Sequence, residues 1–233
     1  MIKIFSTIIL LVLLSPALQA QKIIRALDNH NSKAADLVIF ALGMENPLKL
    51  GTVDAQGMLS VNLEEIQIPE LTDEVKDMYF TELRNVFRFG CGGRDDFGKQ
   101  GNITALRGGN IALLTDNEWA GSLFLVSDPA LKPWLEDEGY NSAVRAIFWE
   151  IVYVEKDVHL DLNCTNETSL ESGSVEVSYS YSLDLKKGFN WVEYSIEQVY
   201  DTNPEARASF PSRVKISNLK DPEKMQWLAN YFF

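Results

Sequence analysis

From residue 21 onward, apolar and polar residues alternate along much of the chain. The clearest case is the segment 175–185, where odd positions are apolar or aromatic and even positions are Glu, Ser or Asp. Such a period of two places one face of a strand in the interior and the other in water. After a turn at 186–190 the alternation resumes over 192–197, with Glu193 on the polar side. The pattern predicts an antiparallel hairpin.

A second hairpin is predicted near the N-terminus. The segment 48–53 is apolar at Leu48, Leu50 and Val53, the segment 59–63 is apolar at alternate positions, and Asp54 and Gly57 between them are typical turn residues. Many short strands with little helix are typical of a β-sandwich. The remaining predicted strands are 36–42, 110–114, 119–126, 144–154, 158–162, 214–216 and 227–233.

One helix is predicted, over residues 72–86. Thr72 can cap its first turn, which carries two acids where the helix dipole favours them. A glycine-rich segment, 90–98, follows; it lacks the spacing and the lysine of a phosphate loop, so it is interpreted as a flexible surface loop at a domain boundary. The apolar face of the helix consists of Val75, Met78, Tyr79, Leu83 and Val86.

The predicted fold class is therefore mainly β, with two β-sandwich-like modules joined by a helical connection. The smaller module covers residues 21–70 and the larger covers 106–233. Residues 71–105 form the helix and the glycine-rich linker between them.

Residues 1–20 have the pattern of a cleaved signal peptide. Lys3 precedes an apolar run from Ile4 to Leu14, and the cleavage region that follows contains Pro16 and Ala20. A run of this length is shorter than the roughly 20 residues that a bilayer requires. The sequence predicts cleavage after Ala20, export to the periplasm or the medium, and no membrane span afterwards. An uncleaved anchor is the competing interpretation.

The chain is acidic, with 33 Asp and Glu against 21 Lys and Arg. Loss of residues 1–20 removes one lysine, so the net charge changes from -12 to -13. Nucleic acids and anionic membranes are poor partners for such a protein, because both are bound mainly by clustered Lys and Arg. The acidity favours solubility, with calcium binding as a weaker interpretation.

The two cysteines, Cys91 and Cys164, both follow the signal segment. In an oxidising compartment they are candidates for a disulfide that would tie the middle of the chain to its C-terminal half. Two separately buried cysteines are the alternative.

Candidate catalytic residues are few. His30 and His159 are the only histidines, and neither belongs to a nucleophile or zinc motif. His159 falls on the polar face of a predicted strand. Paired carboxylates could hydrolyse glycosides if they lie about 5–10 Å apart. The candidates for such a pair are Glu136, Asp137, Glu138, Glu150 and Glu155.

The tryptophans offer the better candidates for a binding site. All five lie in the distal half of the chain, and an exposed indole can stack against a sugar or pack against a protein. Burial in the core is the competing interpretation for each of them. The candidate binding residues are Trp119, Trp134, Trp149 and Trp191, and the fifth tryptophan is Trp227.

Two passages resemble known families. Residues 50–61, LGTVDAQGMLSV, resemble the hairpin of transthyretin-like and immunoglobulin-like domains in exported bacterial proteins. Residues 183–192, LDLKKGFNWV, resemble the "L-x-L-K-x-G-W-N-x-V" hairpin of uncharacterised secreted bacterial β proteins, with Phe189 in place of the Trp. These resemblances imply a β fold and export, and they imply no reaction.

The leading hypothesis is a non-catalytic envelope or secreted protein that binds a protein or a glycan and needs no cofactor or metal. The rival is a small exported hydrolase that uses paired carboxylates, and a structural spacer is a third possibility. The first hypothesis predicts an exposed aromatic cluster. The second predicts a deep cleft with converging acids.

Overall fold

A computed structural model of the protein describes residues 22–93, 96–170, 173–201 and 209–232. The fold is mainly β, as the sequence predicts. The two α-helices in the described residues are short: α1 (Asp73–Tyr79) and α2 (Lys132–Glu136). The strands are β1 (Lys22–Ala26), β2 (Ala35–Ile39), β3 (Leu48–Val53), β4 (Met58–Asn62), β5 (Thr81–Glu82), β6 (Thr104–Arg107), β7 (Ile111–Thr115), β8 (Glu118–Val126), β9 (Ile147–Val154), β10 (Val158–Leu170), β11 (Gly173–Leu185), β12 (Gly188–Asp201), β13 (Ser209–Asn218) and β14 (Gln226–Tyr231).

The predicted N-terminal hairpin is present, and the predicted hairpin over 175–197 is wrong. β3 pairs with β4, and the turn between them contains Gly57 at a φ of 84°, a value that glycine adopts without strain. Asp54 stabilises this turn by accepting hydrogen bonds from the N–H groups of Gln56 and Met58. At the second site β11 is followed directly by β12 through a tight turn at Gly188. These two strands do not pair with each other as a hairpin requires, because β12 pairs with β9 and β13 whereas β11 pairs with β10 and β13. Strand β13 therefore lies between them in the sheet, and alternation along the chain could predict the two strands but not their partners.

Seven of the fourteen strands pair in the order β1-β4-β3-β2-β7-β8-β14, and we call them the seven-stranded sheet. Side chains connect its two ends. Near β1, the side-chain amide of Asn29 pairs with both backbone groups of Ala229 in β14, at 2.7 and 2.8 Å. Arg25 donates to the carbonyl oxygens of Pro222 and Met225, just before β14 begins. Side chains thus satisfy backbone groups where strand pairing stops.

Strands β9 and β12 lie at the centre of the molecule, with both faces buried. In β9 the odd-numbered Trp149 and Ile151 belong to one apolar core, and the even-numbered Phe148 and Val152 belong to another. β12 divides in the same way, with Trp191 in the first core. We call these the first core, which also contains the inner face of the seven-stranded sheet, and the second core, which β10, β11 and β13 enclose on the other side.

The hydrogen-bonded sheet crosses the predicted module boundaries. β2, from the predicted 21–70 module, pairs with β7 from the predicted 106–233 module, and the first core contains residues from both. β6 crosses the predicted 105/106 boundary, and it pairs with β5 on one side and with β9 on the other. The division into modules stays a prediction, and its boundaries coincide with no break in the sheet or in the core.

The predicted helix over 72–86 is wrong in its second half. The Thr72 hydroxyl accepts from the Val75 N–H as predicted, but α1 ends at Tyr79. The chain then becomes extended at Phe80, enters β5, and passes through a 3-10 turn. No residue of α1 is buried, and Met78 is 73% exposed. Strand pairing of β5 with β6 replaces the helical hydrogen bonds that the periodicity predicted.

Cys91 and Cys164 form a disulfide, which decides between the two interpretations of these residues. It joins the glycine-rich segment to β10, where the Asn166 side chain also bonds the N–H of Gly92 and the carbonyl of Gly90. This segment was predicted to be a flexible loop, but in its described part it is anchored to the sheet.

The predicted signal peptide lies outside the described residues. Within the described ranges, no helix has the length and apolar character needed to cross a bilayer. The disulfide fits an exported protein.

Candidate functional site

Of the four candidate tryptophans, the structure leaves one at the surface. Trp134, Trp149 and Trp191 are at most 3% exposed, so the hypothesis that they bind a surface ligand is wrong. Trp227, the fifth tryptophan, is fully buried. Trp119 is 42% exposed. It lies on the outer face of the seven-stranded sheet, at the start of β8.

Two local features place Trp119 there. The β7–β8 turn has left-handed backbone at Asp116 and Asn117, the conformation that matches the twist of a two-residue hairpin. A bulge then inserts Ala120 between the paired positions of Trp119 and Gly121. Bulges re-aim the adjacent side chains, and here the Trp119 Nε1–H donates to the Gly121 carbonyl at 2.7 Å. The orientation of the indole is therefore fixed.

Two phenylalanines flank the indole edge-on. Phe232 follows β14, and its N–H donates to the carbonyl of Ala120, the bulge residue. The ring of Phe232 lies 5.1 Å from that of Trp119, and the ring of Phe40, after β2, lies 5.8 Å away. We call Phe40, Trp119 and Phe232 the Trp119 patch. Phe232 is 48% exposed, so the patch presents apolar surface to solvent.

Gly121 is required for this arrangement. A Cβ at this position would lie 2.4 Å from the carbonyl oxygen of Asn230, which belongs to the adjacent strand β14. The close approach of the two backbones brings Phe232 to the bulge. The patch thus depends on strand pairing as well as on its three rings.

The candidate acids for hydrolysis are dispersed. Glu136 pairs with Lys132 on α2, and Asp137 accepts from the Gly139 N–H in a turn. Glu138 and Glu150 both bind Arg88, and Glu150 is buried. Glu155 lies apart from the other four acids, in a groove beside β9. The structure therefore does not bring these five acids together at one cleft.

Glu150 is the centre of a buried charge cluster on the second-core face of β9. Its Oε1 accepts from Arg88 Nε and Nη2 at 2.9 and 2.7 Å, and from Arg107 Nη2 at 2.8 Å. Burial acts to lower the pKa of Arg107, but the Glu150 carboxylate outweighs it and raises that pKa. The Arg88 guanidinium also lies over the rings of Trp134 and Phe148. The cluster cross-links β6, β9 and the segment that precedes the disulfide.

A groove of about 730 Å³ opens beside β9, on the same face as the first core. Its floor consists of Glu82, Thr104 and Glu155 on adjacent strands, with Tyr153 next to them. Its walls come from the segment 68–71 and from the end of α1. Burial, and then the neighbouring Glu155, raise the pKa of Tyr153. The groove combines aromatic and acidic groups.

The histidines show no catalytic arrangement. His159 lies on the exposed face of β10, as predicted, with Nδ1 2.6 Å from an Asp184 oxygen that is also exposed. Across the described ranges, no three His, Cys, Asp or Glu side chains cluster as metal ligands would.

Comparisons of the chain with protein-family models, with curated proteins and with solved structures find no match. The resemblances of the two hairpins to exported bacterial families therefore stay predictions.

Sequence reasoning found Trp119 but not its neighbours. Phe40 and Phe232 are distant from it along the chain, and no local pattern joins them. Glu150 has a signal of its own in the sequence. It is the only charged residue in the run 147–154, which is otherwise apolar, and a charge in a fully buried strand requires a partner.

Proposed function

We propose that this protein is exported and acts by binding a protein partner through the Trp119 patch. The observation that carries the proposal is a solvent-exposed indole held in one orientation, by its hydrogen bond to Gly121 and by two edge-on rings. Tryptophan is enriched among the residues that dominate binding energy at protein interfaces. Side chains that are already ordered lose less entropy on binding.

The ring geometry favours a protein over a glycan as the partner. Interplanar angles of 74° and 77° set the two phenylalanines nearly perpendicular to the indole. A sugar chain stacks best on rings that share a plane, which these three do not. An apolar side chain from a partner protein can instead pack against the uneven surface that they form.

Export is supported by the signal-peptide pattern of residues 1–20, by the disulfide and by the acidic composition. Structural disulfides persist in oxidising compartments and are rare in the cytosol. The proposal includes no reaction and no cofactor.

The test is affinity capture from the native cell envelope, with the processed protein as bait. We expect Trp119→Ala to reduce capture of the partner by at least about tenfold, because truncating a central interface residue costs about 2 kcal/mol or more. Tyr140→Ala is the matched control, since Tyr140 is 86% exposed and lies outside the patch. This control should capture as much as the wild-type protein.

Two outcomes would contradict the proposal. One is the same set of captured proteins with all three baits. The other is binding of the wild-type protein to an array of glycans that Trp119→Ala abolishes, which would assign the patch to a sugar.

A further inference from the structure

The groove beside β9 is independent of the Trp119 patch, and it has a charge that the protein itself does not balance. Four charged side chains line it: Lys76, Asp77, Glu82 and Glu155. Two of them have ion-pair partners. Lys76 Nζ lies 3.6 Å from Asp73, and Glu82 lies 3.0 Å from Arg84 Nε. Among the residues that the structure describes, Asp77 and Glu155 have no ion-pair partner.

The floor of the groove holds Glu155 at a fixed place. The Glu155 N–H donates to the Thr104 carbonyl at 3.0 Å, which continues the pairing of β6 with β9 beyond the end of β9. Glu82 is paired with Thr104 from the other side. Neighbouring strands are about 4.8 Å apart, so Glu155 and Glu82 lie about 10 Å apart across the floor.

Apolar and aromatic surface adjoins these carboxylates. Phe80 and Tyr153 form an edge-to-face pair with centroids 6.0 Å apart, and Tyr153 in turn contacts Phe189 of the first core. Ile68 and Leu71 add aliphatic surface on the wall. The volume of the groove is in the range of ligand sites, which are about 300–1,000 Å³.

We propose that this groove binds an organic cation, an ammonium or guanidinium group carried on an apolar body. The cation would lie at Glu155, where a carboxylate without a partner gains a charge-assisted hydrogen bond and the ring of Tyr153 offers a cation–π contact. The apolar body would lie along Phe80 and the 68–71 wall. The acidity of the whole chain adds attraction at long range.

The test measures binding by isothermal titration calorimetry with two probes of the same shape, phenethylamine and its neutral analogue 2-phenylethanol. We expect the amine to bind at least about tenfold more tightly than the alcohol, a difference of about 1.4 kcal/mol. Salt should weaken only the amine, because it screens the charge. N-acetyl-phenylalanyl-lysine amide, as a third probe, distinguishes a peptide side chain from a free amine as the source of the cation.

Two variants locate the effect. Glu155→Gln should remove most of the preference for the amine while leaving the affinity for the alcohol unchanged. Glu176→Gln, which removes one exposed carboxylate from β11 outside the groove, should keep the preference. Equal affinities for amine and alcohol in the wild-type protein, or an amine preference that survives Glu155→Gln, would overturn the proposal.

Discussion

Replacing Glu150 with leucine is expected to lower the free energy of unfolding by about 3–5 kcal/mol, because it leaves a buried guanidinium without its main counter-charge. Glu150 is 6% exposed, and the Arg88 side chain is 13% exposed. Arg88 would keep Glu138 and its two aromatic contacts. Arg107 is 40% exposed and can turn toward solvent. The loss of stability therefore comes mainly from the buried charge of Arg88.

A double-mutant cycle separates the loss of the pair from a simple packing defect. We expect Arg88→Met combined with Glu150→Leu to be more stable than Glu150→Leu alone, since no unpaired charge then remains buried. Chemical denaturation of the wild-type protein, the two single variants and the double variant measures the free energy of unfolding of each. A cost below about 1 kcal/mol for Glu150→Leu, or a double variant that is the least stable of the four, would contradict this role.

Loss of the disulfide is expected to have an effect of similar size. The bond closes a loop between positions 73 residues apart, and the chain-entropy model assigns about 4 kcal/mol to a loop of that length. The loop contains β6 to β9, and hence one of the two central strands that separate the cores. Replacing both Cys91 and Cys164 with serine should lower stability by about that amount and should increase the denaturant m-value, because the unfolded chain becomes less compact.

Reduction of the wild-type protein provides the matched comparison. Reductant should shift the unfolding midpoint of the wild-type protein toward that of the double-serine variant, and it should leave the variant unchanged. If thiol titration shows complete reduction without a shift of the midpoint, the disulfide does not contribute to stability.

Much of the fold could be predicted because alternation is a local property. The pattern at 175–185 predicts β11, and the turn residues Asp54 and Gly57 predict the β3–β4 hairpin, since both depend only on residues near in sequence. The helix over 72–86 was predicted by the same reasoning and is wrong beyond Tyr79. Its periodicity could not reveal that β6 lies close enough to pair with Thr81 and Glu82.

Glu193 shows where alternation fails. The alternation predicts Glu193 on the polar face of its strand, yet Glu193 is 4% exposed and accepts a hydrogen bond from Trp149 Nε1. The alternation of β12 separates two buried environments instead of core from water. A sequence pattern records polarity but not which layer covers each face, so the two-core arrangement, the groove and the Trp119 patch all required the structure.

Strands β9 and β12, buried on both faces, form the structural centre of the protein. They separate the two cores, hold Glu150 in its charge cluster and carry the groove residues Tyr153 and Glu155 at the end of β9. The most direct test is native-state hydrogen exchange, resolved by residue. We predict that the slowest amides lie in β9 and β12 and exchange only on global unfolding. Slowest exchange confined to separate groups within 22–70 and the C-terminal strands, with rapid exchange in β9 and β12, would contradict the shared centre.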